Sequence, residues 1–69
     1  MKDIRINTEF IKLDQFLKWA GAVSTGAEGK LLVGEGKVKV NGEAEIKRGR
    51  KLRAGDIIET GKEVFRIEV

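Results

Sequence analysis

The stretch Gly36–Asp56 reads GKVKVNGEAEIKRGRKLRAGD and carries an apolar row and a row of cations in one segment. Apolar and polar residues alternate on both sides of Asn41-Gly42, a pair typical of the turn between two antiparallel strands. Alternation places every second side chain on the same face of a sheet. The residues predicted to face inward are Val38, Val40, Ala44, Ile46 and Leu52. This stretch therefore predicts the centre of a small β-sheet.

The number of residues in the turn, even or odd, determines the register of this hairpin. A two-residue loop would place Val40 opposite Glu43 and mix apolar with charged side chains on one face. A three-residue loop places Val40 opposite Ala44 and Lys39 opposite Glu45, which keeps the faces consistent and forms a cross-strand ion pair. The pattern therefore favours the three-residue loop.

The positive charge of the chain is concentrated in the same stretch. The whole chain has 14 Lys and Arg against 11 Asp and Glu, a net charge of +3. Seven of these cations lie between positions 37 and 53, where the only anions are Glu43 and Glu45. Focused charge of this kind builds a polyanion-binding surface, although a charge run can also be a solvated face. Composition leaves these two interpretations evenly balanced.

Length and composition exclude several classes of function. A chain of 69 residues is expected to form one domain, residues 1–69, with a small core and little room for a deep pocket. It contains no Cys and no His, which removes disulfides, thiolate metal sites and the usual base at neutral pH. The acidic side chains are scattered and no phosphate-cradling glycine-rich loop occurs. We therefore predict a protein that is not an enzyme and needs no cofactor or metal.

The chain shows no pattern of membrane insertion or secretion. No apolar run approaches the roughly 20 residues that span a bilayer. The N-terminus lacks the apolar core of a signal peptide. We expect a cytoplasmic protein without a membrane partner.

Two helices are predicted before the hairpin, and they form an αα-hairpin. The first begins near Lys12 or Leu13 and ends before Gly21, which suits the left-handed position after a helix. Its apolar stripe, at helical spacing, consists of Leu13, Phe16, Leu17 and Ala20. The second begins at Thr25, because Thr25 and Glu28 form a capping box, and ends at Gly36. Its predicted inward residues are Ala27, Leu31, Leu32 and Val33, and its glycines Gly29 and Gly34 are expected to allow close packing against the first helix.

Shorter strands complete the predicted sheet. Ile4 and Ile6 mark a first strand, which is expected to pair with the last and bring the termini together. Residues 57–59 form another strand, and the last, residues 64–69, turns Phe65, Ile67 and Val69 inward. Phe10 and Ile11 are expected to dock on the core, and Asn41 and Asp56 to act mainly in turns. The predicted class is α+β, an αα-hairpin packed on a small, mainly antiparallel β-sheet.

Trp19 lies beside the apolar stripe of the first helix and has two interpretations. It could be a stacking platform for a base, or it could cover the edge of a small core, the commoner role of an aromatic ring. Residues Trp19, Leu31, Leu32 and Val33 together also suggest more apolar surface than a small core buries. That excess predicts a protein-interaction surface as an alternative to nucleic-acid binding.

Taken in order, these elements resemble the S4-type RNA-binding domain. The two helices carry Leu13-Asp14-x-Phe16-Leu17 and Lys30-x-Leu32-Val33, followed by Gly36-x-Val38-x-Val40-Asn41-Gly42 and Leu52-x-x-Gly55-Asp56-Ile57-Ile58. The resemblance covers about residues 11–59. The added Arg48-Gly49-Arg50-Lys51-Leu52 resembles the small stand-alone, YbcJ/YaaA-like members, in which the domain is the whole protein.

The resemblance implies the αL-type RNA-binding motif as the fold and structured RNA as the ligand. Its motif positions place RNA contacts at Lys12, Thr25, Lys30, Lys37 and Asn41. The density of charge adds Lys47, Arg48, Arg50, Lys51 and Arg53. Many such domains have an Arg where this chain has Gly26, and the segment Arg48-Gly49-Arg50-Lys51-Leu52 is expected to replace that contact.

We therefore predict a non-catalytic protein that binds structured RNA, ribosomal RNA in particular. It is expected to be a monomer that acts in ribosome assembly or translation. The ribosomal particle is a further predicted partner. The basic segment contains no aromatic residue, which favours recognition of backbone and shape over recognition of bases. The alternative is an adaptor on a ribonucleoprotein that contacts only protein.

Overall fold

Two short helices and seven short strands make up the chain, which the structure, a computed structural model, describes over residues 1–69. In order they are β1 (Lys2–Arg5), β2 (Ile11–Lys12), α1 (Leu13–Trp19), α2 (Gly26–Gly34), β3 (Lys39–Val40), β4 (Glu43–Ala44), β5 (Lys51–Leu52), β6 (Ile57–Glu59) and β7 (Val64–Glu68). The predicted α+β class, an αα-hairpin on a mainly antiparallel sheet, is confirmed.

Five of the strands form one sheet in the order β1-β7-β6-β3-β4, and β2 pairs with β5 separately. All pairs are antiparallel except β1 with β7, where Lys2 lies opposite Phe65 and Arg5 opposite Glu68. The predicted pairing of the first and last strands is therefore confirmed. The prediction that it brings the termini together is wrong, because parallel strands place the two chain ends at opposite ends of the pair.

The β3–β4 hairpin has a two-residue loop, so the predicted three-residue loop is wrong. Val40 lies opposite Glu43 and Lys39 opposite Ala44. Asn41 and Gly42 have φ angles of 52° and 86°, the positive values that a type I′ turn requires at both central positions. Turn geometry thus set the register, and the alternation of side chains did not.

The short edge strand β4 explains why the alternation failed. On the other side of β3, Val40 pairs with Ile58 of β6, and both side chains are buried. Strand β4 is the edge of the sheet and has no neighbouring strand beyond it. Ala44 is exposed, and Ile46 is 68% exposed. The predicted inward positions of these two residues are therefore wrong. Val69 is also exposed, because it lies beyond the end of β7.

The core lies between the αα-hairpin and the sheet. Phe16 of α1 meets Phe65 of β7 edge to face, with ring centroids 5.8 Å apart and ring planes at 82°. No polar side chain is buried. The buried residues are Ile6, Leu13, Phe16, Leu17, Val33, Val38, Val40, Leu52, Ile58, Phe65 and Ile67.

Helix α1 matches its prediction. Leu13, Phe16 and Leu17 are fully buried, and Ala20 packs against the core as a half-buried residue. After the helix, Gly21 has a φ of 78° and donates its N–H to the Lys18 carbonyl at 3.1 Å. The closure is the Schellman type, in which a left-handed residue satisfies the last carbonyls of the helix.

Helix α2 has the predicted start but a different inward face. Thr25 Oγ1 accepts the N–H of Glu28 at 3.2 Å. Gly29 and Val33 are buried, whereas Leu31 is 63% exposed and Ala27 is exposed, so these two predicted inward residues are wrong. The inward face contains Gly29, which packs against Asp14 of α1.

The two glycines inside α2 differ in their surroundings. A Cβ at Gly29 would lie 3.2 Å from the Asp14 carbonyl oxygen of α1, so close packing is confirmed there. A Cβ at Gly34 would meet nothing within 4 Å, so the same prediction for Gly34 is wrong.

Replacing Gly29 by Leu is expected to lower the free energy of unfolding by about 1–3 kcal/mol, because the added atoms must push the two helices apart. Gly34→Ala is the matched control in the same helix and is expected to raise it by up to about 1 kcal/mol. Urea unfolding of both variants measures these changes. A Gly29→Leu variant as stable as the unmodified chain would contradict the close approach at Asp14.

Candidate nucleic-acid interface

The basic segment Lys47–Arg53 is attached by its backbone to the start of α1. Leu13 donates its N–H to the Arg50 carbonyl at 2.9 Å, and Asp14 donates to the Arg48 carbonyl at 3.0 Å. These carbonyls satisfy N–H groups that a helix start leaves without partners, a need that Lys12 as N-cap does not meet with its side chain. The segment is therefore held in one position relative to the helix.

The pairing of β2 with β5 brings two cations face to face. Lys12 lies directly opposite Lys51, so their Cβ atoms are roughly 4.5–5.5 Å apart. Like charges at such positions destabilise a strand pair. Neither lysine has a carboxylate partner, since the ion pairs of the chain are Lys2–Glu63, Lys37–Glu35, Arg50–Glu45 and Arg66–Asp3.

Phe10 lies beneath two cations of the segment, Lys51 and Arg53. The Lys51 Nζ is 4.8 Å and the Arg53 guanidinium carbon 5.9 Å from the centroid of its ring. These are cation–π contacts. Phe10 is 37% exposed, so its predicted docking on the core is wrong, whereas Ile11 packs against the core as predicted. We call the cations Lys12, Arg48, Lys51 and Arg53, together with Phe10, the basic cluster.

Sequence reasoning missed Phe10 as a member of this cluster. The residue lies far from Lys51 along the chain, and only the β2–β5 register joins them. A signal was present in the alternation Phe10-Ile11-Lys12, which places Phe10 and Lys12 on one side of a strand and Ile11 on the other. Without the pairing partner, that signal did not indicate which cations the ring would meet.

Glu45 organises the other end of the segment. Its Oε1 accepts a hydrogen bond from Arg50 Nη1 at 2.9 Å, and its Oε2 accepts the N–H groups of Ile46 and Lys47 at 3.1 and 3.2 Å. The predicted Lys39–Glu45 ion pair is wrong, because the two-residue loop places Lys39 opposite Ala44. Arg50 is therefore engaged within the molecule, while Lys47 is exposed and has no carboxylate partner.

The Asn41 side chain ties the hairpin turn to the turn that follows the basic segment. Asn41 Nδ2 donates to Asp56 Oδ1 at 3.1 Å, and Ile57 donates its N–H to Asn41 Oδ1 at 2.9 Å. Asp56 also accepts the N–H of Arg53 through Oδ2 at 2.8 Å. The turn roles predicted for Asn41 and Asp56 are confirmed, and the turn that carries Arg53 is held by them.

The remaining predicted contacts fall in two places. Gly29 of α2 touches Asp14, whose N–H is bonded to Arg48, so α2 and the basic segment flank the first turn of α1. Thr25 lies at the start of α2, and Lys30 lines an exposed groove on that helix with Ala27 and Leu31. Lys37 lies at the end of β3 away from the hairpin turn, pairs with Glu35 at 3.7 Å and lines a groove with Thr60.

Neither helix has the length and the apolar character that crossing a membrane requires. No group of three acidic side chains converges as metal ligands would.

Glu45→Gln is expected to destabilise the chain at pH 7 and to have little effect in acid. The Arg50 hydrogen bond and the N–H of Lys47 lower the pKa of Glu45 below its ordinary value of 4.5. A lowered pKa means that the ionised group stabilises the fold above pH 4.5 and that this contribution is lost as the pH falls through the lowered pKa. Urea unfolding of the unmodified chain and of the Glu45→Gln variant, from neutral pH to below pH 4.5, measures the difference in their free energies of unfolding.

Glu43→Gln is the control, because Glu43 lies in the same hairpin and forms no ion pair. A destabilisation by Glu45→Gln that stays constant from neutral to acid pH would contradict the role of the ionised carboxylate.

The chain is similar to proteins of a known family over most of its length. Residues 4–68 match the family model described as S4 domain. The chain is also similar to the probable ribosome maturation protein RlbA of Bacillus subtilis (strain 168), at 46% identity over 56 residues, which cover 81% of this chain and 79% of that protein. The family match includes both helices, the hairpin and the basic segment, and it confirms the resemblance read from the motifs. The chain belongs to the S4 domain family.

Proposed function

We propose that this chain is a non-catalytic RNA-binding protein that recognises structured RNA, ribosomal RNA in particular, and acts in ribosome maturation as a cytoplasmic monomer. The observation that carries the proposal is the Lys12–Lys51 pair, two cations held opposite each other with no carboxylate partner. A phosphate placed between them would turn their repulsion into attraction.

Family membership supports the choice of RNA. The S4 domain match spans residues 4–68, so residues 1–69 are proposed to act as one such domain. The similarity to a probable ribosome maturation protein supports a ribosomal target and a role in assembly.

The proposed contacts follow from which cations are free. Arg48 and Arg53 can each hold phosphate oxygens with two N–H groups, whereas Lys12, Lys47 and Lys51 act as point charges. Backbone bonds to α1 hold the segment before RNA arrives, which reduces the entropy lost on binding. These side chains are proposed to contact the RNA backbone.

Other predicted residues take supporting roles in this proposal. Arg50 is engaged with Glu45 and is proposed to hold the segment in shape. Asn41 is proposed to do the same for the turn at Arg53. Thr25 and Lys30 extend the surface along α2, and Lys37 lies outside it.

Replacing both Arg48 and Lys51 by Ala is expected to weaken binding to a hairpin RNA and to reduce the dependence of log affinity on log salt by about one unit per lost phosphate contact. Fluorescence anisotropy of a labelled hairpin at several salt concentrations measures both quantities. The matched control, Lys39→Ala with Lys62→Ala, removes the same charge outside the basic cluster and should change the slope less. An unchanged slope in the Arg48 and Lys51 variant would refute the assignment of this surface.

A protein-binding role remains the second candidate, because Leu31 is 63% exposed on α2 beside Ala27 and Gly34. If RNA bridges the chain to its partners, ribonuclease treatment of a pull-down is expected to release them. Partners that stay bound after digestion, and that are lost in a Leu31→Ala variant, would favour the protein adaptor instead. Mass spectrometry and RNA sequencing of the bound fractions measure both outcomes.

A further inference from the structure

We propose that the surface formed by Ile11 of β2 with Gln15, Lys18 and Trp19 of α1 is a stacking site for an unpaired base of the RNA bound at the basic cluster. The inference rests on the proposed function. It adds a contact to a base to an interface that otherwise holds the RNA backbone.

Trp19 is exposed in a way that core packing does not explain. Its side chain is 58% exposed although it is the largest apolar side chain in the protein. The indole N–H donates to the Arg5 carbonyl at 2.9 Å, which holds the ring to the end of β1. An aromatic ring that is held before binding and open to solvent loses little freedom when a base stacks on it.

The residues around the ring suit a nucleotide. Gln15, Lys18 and Trp19 lie on one side of α1, since residues three and four apart are neighbours on a helix. With Ile11 they line a shallow surface that is open to solvent, which leaves the face of the Trp19 ring accessible to a base. The Gln15 amide offers both donors and an acceptor to the edge of a base, and Lys18 offers charge to a phosphate.

The site and the basic cluster meet at the backbone of β2. Ile11 lines the site and is followed directly by Lys12 of the basic cluster, and the side chains of successive strand residues point to opposite faces, so the two surfaces lie on either side of β2. Lys12 in turn faces Lys51. Lys18, which lines the site, has no carboxylate partner. Lys18 can therefore hold a phosphate next to the stacked base, while the cations of the basic cluster hold phosphates of the same RNA across β2.

The charge and the ring together favour nucleic acid over a protein segment as the occupant. Every base presents a flat face to an aromatic ring and carries phosphates beside it. The other exposed apolar surface, at Leu31, has no aromatic ring, and its one cation, Lys30, lies with the anion Glu35. Leu31 therefore provides a control of similar exposure.

Intrinsic fluorescence tests the site directly, because Trp19 is the single Trp and the chain has no Tyr. The probes are two hairpin RNAs with the same stem, one fully paired and one with a single bulged adenosine. We expect the bulged hairpin to quench Trp19 and to protect it from acrylamide. The paired hairpin should bind through the basic cluster and leave Trp19 accessible.

Trp19→Leu is expected to weaken binding of the bulged hairpin by about 5- to 150-fold, with little change for the paired hairpin and an unchanged salt slope. Trp19→Phe should keep most of the affinity, and Leu31→Ala should change neither. The fluorescence measurement uses the unmodified chain, so the test does not depend on how the variants fold.

The outcomes separate this inference from the proposed function. If neither hairpin binds at low salt, the proposed function fails and the stacking site fails with it. If both bind with a steep salt dependence and Trp19 fluorescence is unaffected, only the stacking site is overturned. Quenching by ribosomal particles that persists after ribonuclease digestion would assign this face to a protein, which also overturns the inference.

Discussion

The interface depends on two backbone hydrogen bonds, from the N–H groups of Leu13 and Asp14 to the carbonyls of Arg50 and Arg48. A helix start leaves several N–H groups without partners, and Lys12 supplies no side-chain cap to α1. Two backbone carbonyls of the basic segment accept these N–H groups, so the same hydrogen bonds cap α1 and hold the charged segment in place. The β2–β5 pair extends the attachment, and Lys12 meets Lys51 as a consequence.

The acidic residues within and beside the basic stretch act as anchors. Glu45 holds Arg50 and two backbone N–H groups, and Asp56 holds Asn41 and the turn at Arg53. Each carboxylate fixes one end of the segment. Apart from Arg50, the cations between these ends have no carboxylate partner, so the segment is anchored at both ends while most of its charges stay unpaired. The net charge of the stretch does not distinguish these anchoring residues from the free ones.

Local chemistry allowed the helices and their ends to be predicted, and longer-range packing explains the errors. Thr25 as N-cap and Gly21 as the residue after α1 depend on neighbours within one turn, so they were predicted correctly. The hairpin register was wrong because Val40 packs with Ile58, a partner from β6, while β4 is an exposed edge. The inward face of α2 was predicted wrongly because Gly29, and not Leu31, packs against α1.

The sequence by itself determined the α+β class, the helix caps, the turn roles of Asn41 and Asp56, and the concentration of cations in Lys47–Arg53. These features depend on periodicity, on backbone preferences of single residues, and on charge. Only the tertiary structure decided which cations are free, that Phe10 lies beneath Lys51 and Arg53, and that Trp19 is held to the Arg5 carbonyl and stays open to solvent. The physical reason is that these contacts join residues distant along the chain, and only strand pairing and helix packing bring such residues together.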